Sequence, residues 1–178
     1  MHLDLSRLSA DTVHLQRDYP AEAFAGSAED YRVTGPVRLE FDISRSEDRY
    51  RLAGRVSAAL ELTCSRCAEP FSWPVEATFD LQYLPQADNV GEGELEVAEE
   101  DLGVAFYEAN TIDLGQLMRE QFYLALPMKP LCGPECRGLC PQCGANRNRG
   151  EGGCQVQWEA PRLAPLRRLL ERRSSGKQ

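Results

Sequence analysis

The side chains best equipped for chemistry are seven cysteines: Cys64, Cys67, Cys132, Cys136, Cys140, Cys143 and Cys154. An odd number cannot all pair in disulfides. Written by spacing they are C-x2-C at 64–67, C-x3-C-x3-C-x2-C from 132 to 143, and then Cys154. Thiolates two residues apart can clasp one ion, because the intervening turn lets both sulfurs converge, and zinc takes four ligands in a tetrahedron. Cys140-Pro-Gln-Cys143-Gly has the form of a zinc knuckle, since a glycine after the second sulfur permits a left-handed turn. A lone C-x2-C would be weak evidence for metal; two of them with the intervening cysteines are strong evidence. The predicted ligands are therefore Cys64, Cys67, Cys132, Cys136, Cys140 and Cys143, holding one or two structural Zn2+ ions.

Seven thiols fill one four-ligand site and leave three. One partition joins Cys64 and Cys67 with Cys132 and Cys136, and leaves Cys140, Cys143 and Cys154 either for a second site with an unidentified ligand or partly free. In the opposite partition Cys140 and Cys143 complete the first site, and spacing alone does not choose between the two. The competing chemistries are a thiol switch, since C-x2-C pairs can have lowered thiol pKa values, and an iron–sulfur cluster. A thioredoxin-like site belongs at the start of a helix in a parallel fold. Here the first pair lies between segments that read as antiparallel strands.

Three long segments position that first pair. Tyr31, Val33, Val37, Leu39, Phe41 and Ile43 alternate with polar residues; so do Tyr50, Leu52, Val56, Leu60 and Leu62, and then Phe71, Trp73, Val75, Phe79, Leu81 and Tyr83. Period-two alternation gives each strand one buried and one wet face, which suits antiparallel sheets. The link over 44–48 is short enough for a hairpin, and Pro36 and Pro74, lacking an N–H, mark edges, bulges or breaks. The stretch 88–101, with seven acidic residues, reads as an exposed acidic loop with a short strand around Leu95 and Val97. A helix over 113–126 follows: Asp113 and Gln116 make a capping-box pattern, Leu114, Leu117, Met118, Phe122 and Ala125 form an apolar stripe, and Pro127 stops it. From 131 to 153 there is almost nothing to build a core, so this segment is either disordered or organised by metal. At the end, Leu163, Leu166, Leu169 and Leu170 lie near one side of a short basic helix.

The predicted fold class is thus α+β: an antiparallel sheet or partly closed barrel with one packed helix, a cysteine-rich zinc-binding return and a short basic C-terminal helix. Residues 1–130 form the sheet domain; residues 131–178 form the metal-binding segment and basic tail.

Charge is unevenly placed. The chain carries −8 overall, yet 67–118 holds twelve acidic residues and no Lys or Arg, while 119–178 holds eleven basic residues against five acidic ones. An acidic protein can meet nucleic acid only through a local basic patch. Arg167, Arg168, Arg172 and Arg173 are the candidate contacts, because arginine's planar fork suits phosphate. Enzymatic readings fare worst. With only His2 and His14, no Ser/His/Asp set can be built, and no phosphate-cradling glycine motif is present. A thiol-rich cluster is also unlike a catalytic zinc site, which keeps an open position among His and carboxylate ligands. No run of eighteen apolar residues predicts a membrane span, and the N-terminus lacks a secretory pattern. The expectation is a cytoplasmic protein with no membrane contact and no small-molecule substrate.

The stretches LELTCSRCAEPF and LCGPECRGLCPQCGANRN, with the ending APRLAPLRRLL, resemble the bacterial YceD family, called large ribosomal RNA subunit accumulation proteins. The resemblance runs from about Val33 in order of features: strands, cysteine pair, acidic loop, short helix ending in ALP, cysteine-rich return and basic tail. GLCPQCGAN is its most specific part. It departs from some relatives in having a single cysteine at 154 rather than a close pair. The resemblance implies a non-enzymatic ribosome-biogenesis factor that supports synthesis or accumulation of large-subunit ribosomal RNA. Its partner would be ribosomal RNA, a pre-ribosomal particle or a ribosomal protein. The alternative is a thiol-based redox sensor or zinc-dependent holdase.

Overall fold

The computed structural model describes residues 1–8, 11–26, 30–86, 103–150 and 154. The chain divides into two compact units: Met1–Ser65 with Glu69–Cys132, and Arg66–Ala68 with Gly133–Gln178.

The first unit is mostly sheet. Its elements are β1 (His2–Asp4), β2 (Thr12–Tyr19), β3 (Tyr31–Val33), β4 (Val37–Ser46), β5 (Arg49–Thr63), β6 (Pro70–Pro85), β7 (Val104–Tyr107), β8 (Thr111–Asp113) and helix α1 (Leu114–Ala125). The main sheet runs β2-β4-β5-β6-β7, with β3 added against β5; β1 and β8 form a separate pair. The first alternating segment is cut in two at Pro36, and both halves pair antiparallel with β5. Pro74 stays inside β6, opposite Ala59. Because β7 pairs only with Gln82–Pro85, β6 is an edge at Pro74 among the described residues, where a missing N–H is tolerated. The β4–β5 hairpin turns on Glu47 and Asp48, with Glu47 in the left-handed region at φ 57.

Of the two expected forms, the open sheet is found and the partly closed barrel is not: among the described residues β2 and β7 end the strand order without pairing with each other. The closing contact is lacking because β7 comes back parallel to β6 rather than meeting β2. One face is dry: Leu39, Phe41, Ile43, Leu52, Val56 and Leu60 are fully buried. The other is tied by ion pairs between residues directly opposite one another, Arg38 with Asp18, Arg55 with Glu40 and Arg32 with Glu61. Like an alternating apolar face, such pairs resist a one-residue slip, which would place every partner on the wrong side.

Helix α1 closes the dry side. Leu114, Leu117, Met118 and Phe122 are buried in one cluster with the sheet residues, and the Phe122 ring meets those of Phe24 and Tyr31, each at 5.8 Å. The capping box is only half made. Asp113 accepts hydrogen bonds from the Gly115 amide (2.8 Å) and the Gln116 amide (3.3 Å), but the Gln116 side chain donates to Glu120 instead of reaching back. Burial pulls the Asp113 carboxyl upward, yet these two amides and neighbouring positive charge outweigh it and the net shift is downward. Removing the cap with Asp113→Ala should cost about 1 kcal/mol at neutral pH. A depressed carboxyl stabilises above its unfolded pKa and loses that contribution as pH falls through its folded one. The Ala variant's deficit should therefore shrink on acidification, whereas Asp113→Asn, which still caps, should remove the pH dependence while keeping most of the stability. Urea midpoints measured at pH 7 and pH 3 would show both effects; an equal deficit at the two pH values would refute the charged cap.

The second unit, as far as it is described, buries Cys67, Cys136, Gly138 and Cys140 and no Val, Leu, Ile or Phe. Leu139 is exposed. A small antiparallel turn brings Leu139 opposite Asn146, with the Arg147 amide donating to Gly138 O at 2.9 Å. The predicted strand around Leu95 and Val97, the C-terminal helix and Arg167, Arg168, Arg172 and Arg173 lie outside the described residues. Among the described residues no helix is long and apolar enough to cross a membrane.

Candidate metal centre

Strand β5 ends at Thr63, and the chain turns through Cys64-Ser-Arg-Cys67 before β6 begins. The Cys64 amide donates to Glu69 O at 2.9 Å, and Ala68 takes the left-handed conformation at φ 57. The second C-x2-C is built the same way. The Cys140 amide donates to Ala145 O at 2.8 Å, and Gly144 stands at φ 71. In both, the amide of the first cysteine reaches the carbonyl five residues on, and the residue after the second cysteine is left-handed. Glycine made this form legible at 144. Alanine at 68 adopts it at some cost, since a Cβ disfavours that region.

The sulfurs of Cys64, Cys67, Cys132 and Cys136 lie within 4.8 Å of one another, and three of the four residues are buried. A tetrahedral zinc site with bonds of about 2.3 Å has sulfur–sulfur edges of about 3.8 Å, so small side-chain adjustments suffice to seat an ion. The chain reaches this arrangement by backbone bonds. The Ser65 amide donates to Pro130 O at 2.9 Å, and the Cys132 amide donates to Cys64 Sγ at 3.4 Å. Of the two partitions left open by spacing, the structure brings together the first. Cys140 and Cys143 gather instead with Cys154, again within 4.8 Å.

Supporting side chains were not legible beforehand. The Arg66 guanidinium donates to Pro134 O (3.2 Å) and Cys136 O (3.0 Å), and its own carbonyl accepts from the Leu139 amide at 3.1 Å. A Cβ on Gly138, which is at φ 70, would stand 3.1 Å from that same carbonyl, so glycine is needed there for both reasons. Asn148 donates from Nδ2 to Cys136 Sγ at 3.3 Å and accepts from the Arg137 amide at 2.7 Å. Such N–H to sulfur bonds orient a thiolate and stabilise its charge, the usual task of groups just outside a metal's ligands. Asn148's only sequence signal is its place in the GANRN run after the knuckle.

Within the other cluster, the Cys140 thiol is drawn down to about 7, first by the Cys143 amide and then by that of Gln142. Cys154 is pushed up to about 11 by sharing hydrogen bonds with Cys143. Of these two thiols Cys140 gives up its proton the more readily and Cys154 holds its own.

Comparison with known proteins places this arrangement. The family model described as "Large ribosomal RNA subunit accumulation protein YceD" matches residues 52–170, a span that contains all seven cysteines. The chain belongs to the YceD family. Relatives include the chloroplastic YCED homolog 1 of Zea mays, 31% identical over 76% of this chain, and that of Arabidopsis thaliana, 25% identical over 95%. The uncharacterized protein YlbN of Bacillus subtilis is 26% identical over 80% of this chain and 78% of its own length. The chain spans only 54% and 59% of the two plant YceD homologues. No solved structure matches it.

Proposed function

We propose that this chain is a non-enzymatic ribosome-biogenesis factor of the cytoplasm that supports synthesis or accumulation of large-subunit ribosomal RNA. Membership of a family named for that role carries the reading. In it the four-sulfur cluster holds a structural Zn2+, and the basic end of the chain contacts ribosomal RNA phosphates. A closed four-thiol set suits a structural ion, because it leaves no position for substrate. The acidic remainder repels RNA and confines contact to the basic end. The general test is depletion of the protein followed by profiling of ribosomal particles and precursor RNA; unchanged large-subunit precursors would overturn the proposal.

The RNA contact has its own test. Arg167, Arg168, Arg172 and Arg173 replaced together by Gln should weaken association with large-subunit precursors. Each phosphate contact contributes about 0.9 or less to the log–log salt slope, so losing four should reduce it by about 3 to 4. Co-sedimentation that persists at every salt concentration would move the contact away from the tail, to a ribosomal protein met elsewhere on the chain.

A further inference from the structure

Cys140, Cys143 and Cys154 are not needed to complete the four-sulfur cluster, yet their sulfurs are gathered as closely as the other four. Chance does not readily bring three thiols together where the described residues bury no large apolar side chain, because each must give up side-chain freedom. The backbone around Cys140 also repeats the turn at Cys64: the same amide-to-carbonyl bond five residues on, and the same left-handed residue after the second cysteine.

We propose that Cys140, Cys143 and Cys154 form a second metal site, for a thiophilic d10 cation of the Zn2+ class, separate from the four-sulfur centre. Three thiolates suit such an ion and disfavour hard cations such as Mg2+ and Ca2+, which take oxygen ligands. Among the described residues no fourth His, Cys, Asp or Glu stands with these three. Cys143 is exposed and Cys154 half-buried, whereas three of the four ligands of the first cluster are buried. This second ion is therefore the more accessible to competing ligands and the first to leave. The proposal does not depend on the first cluster being loaded, since none of its three residues belongs to that cluster.

The test uses the full chain loaded with Zn2+. Native mass spectrometry should count two ions, and a chelator should remove them in two steps. A thiol alkylating reagent applied after the first step should label Cys140, Cys143 and Cys154 and spare Cys64, Cys67, Cys132 and Cys136. Cys154→Ser should lower the count from two to one. A count of one in the wild-type chain, with Cys64, Cys67, Cys132 and Cys136 labelled from the outset and Cys140, Cys143 and Cys154 protected until chelation, would overturn the first centre and leave this one. A count of one with those three cysteines labelled from the outset would overturn the second site alone. Two ions retained by Cys154→Ser would also overturn it, as would simultaneous labelling of all seven cysteines when the first ion leaves.

Discussion

Cys64→Ser is expected to abolish metal binding at the four-sulfur centre and to lower the melting temperature by about 8–16 °C. The size follows from linkage. An ion that binds only the folded chain, at a free concentration about 1,000-fold above its dissociation constant, stabilises by about 4 kcal/mol. In a protein of this length each kcal/mol shifts the midpoint by about 2–4 °C. The serine hydroxyl is a poor zinc ligand, and the remaining thiolates would be drawn together with less to neutralise them. Ser65→Ala is the control. Its side chain is exposed and its role in the turn is played by the backbone amide, which the substitution keeps, so its midpoint should move by less than about 0.5 kcal/mol equivalent. Metal content and thermal unfolding should be measured on the same samples, with and without chelator. If chelator leaves the wild-type midpoint in place, the metal is not part of this fold.

Gly54→Ala should be nearly as damaging, for a reason unrelated to metal. Gly54 lies on the dry face of β5, opposite Phe41 on β4 and Phe79 on β6. A Cβ placed there would stand 2.2 Å from Glu40 O and 2.5 Å from Phe41 Cβ. Both are far inside contact distance, and one is backbone, so β4 must move as a strand. Glycine here lets the backbone of β4 approach β5 closely, and curved sheets use glycine at such positions elsewhere. The expected loss is about 3–5 kcal/mol, at the upper end for overpacking and in the range of single changes with a severe structural cause. Gly35→Ala is the matched comparison, because its Cβ would meet only Ala59 Cβ at an ordinary 3.8 Å. That variant should be neutral or slightly stabilised through its stiffer unfolded chain. Urea midpoints that fall equally for both would show that the clash at Gly54 is relieved cheaply.

Much of the first unit was legible because its strongest signals are local. Alternation located β4, β5 and β6, the capping pattern at Asp113 located α1, and Pro36 marked where β3 and β4 part. β2 was missed because Arg17 interrupts the row formed by Val13, Leu15 and Tyr19, as an edge strand with a half-exposed inner face permits. β7 was invisible for a different reason. A parallel partner needs a long crossover, and nothing in four residues states which strand they will join. The cysteine partition was out of reach on spacing alone, since 132 and 136 are no better spaced than 140 and 143. What separates them is a long-range bond, from Ser65 N to Pro130 O, which brings the chain back to the first turn just before Cys132. Asn148 was hidden because a sulfur-directed amide has no pattern of its own.

The hairpin of β5 and β6 also sets a schedule. Its strands pair without interruption from Tyr50 with Tyr83 to Thr63 with Pro70, and hairpins of this kind close in about 1–10 μs once both strands are present. Cys132 follows Cys64 by 68 residues. At synthesis rates of about 5–20 residues per second, the second half of the four-sulfur set is made roughly 3–14 s after the first. For the later part of that interval, once β6 has been made, the growing chain presents Cys64 and Cys67 on a formed turn before Cys132 and Cys136 exist. Two thiols held side by side for seconds are open to oxidation, and also to capture of an ion through half of its final ligands. Speed of translation between the two cysteine pairs would thus bear on how many molecules mature correctly.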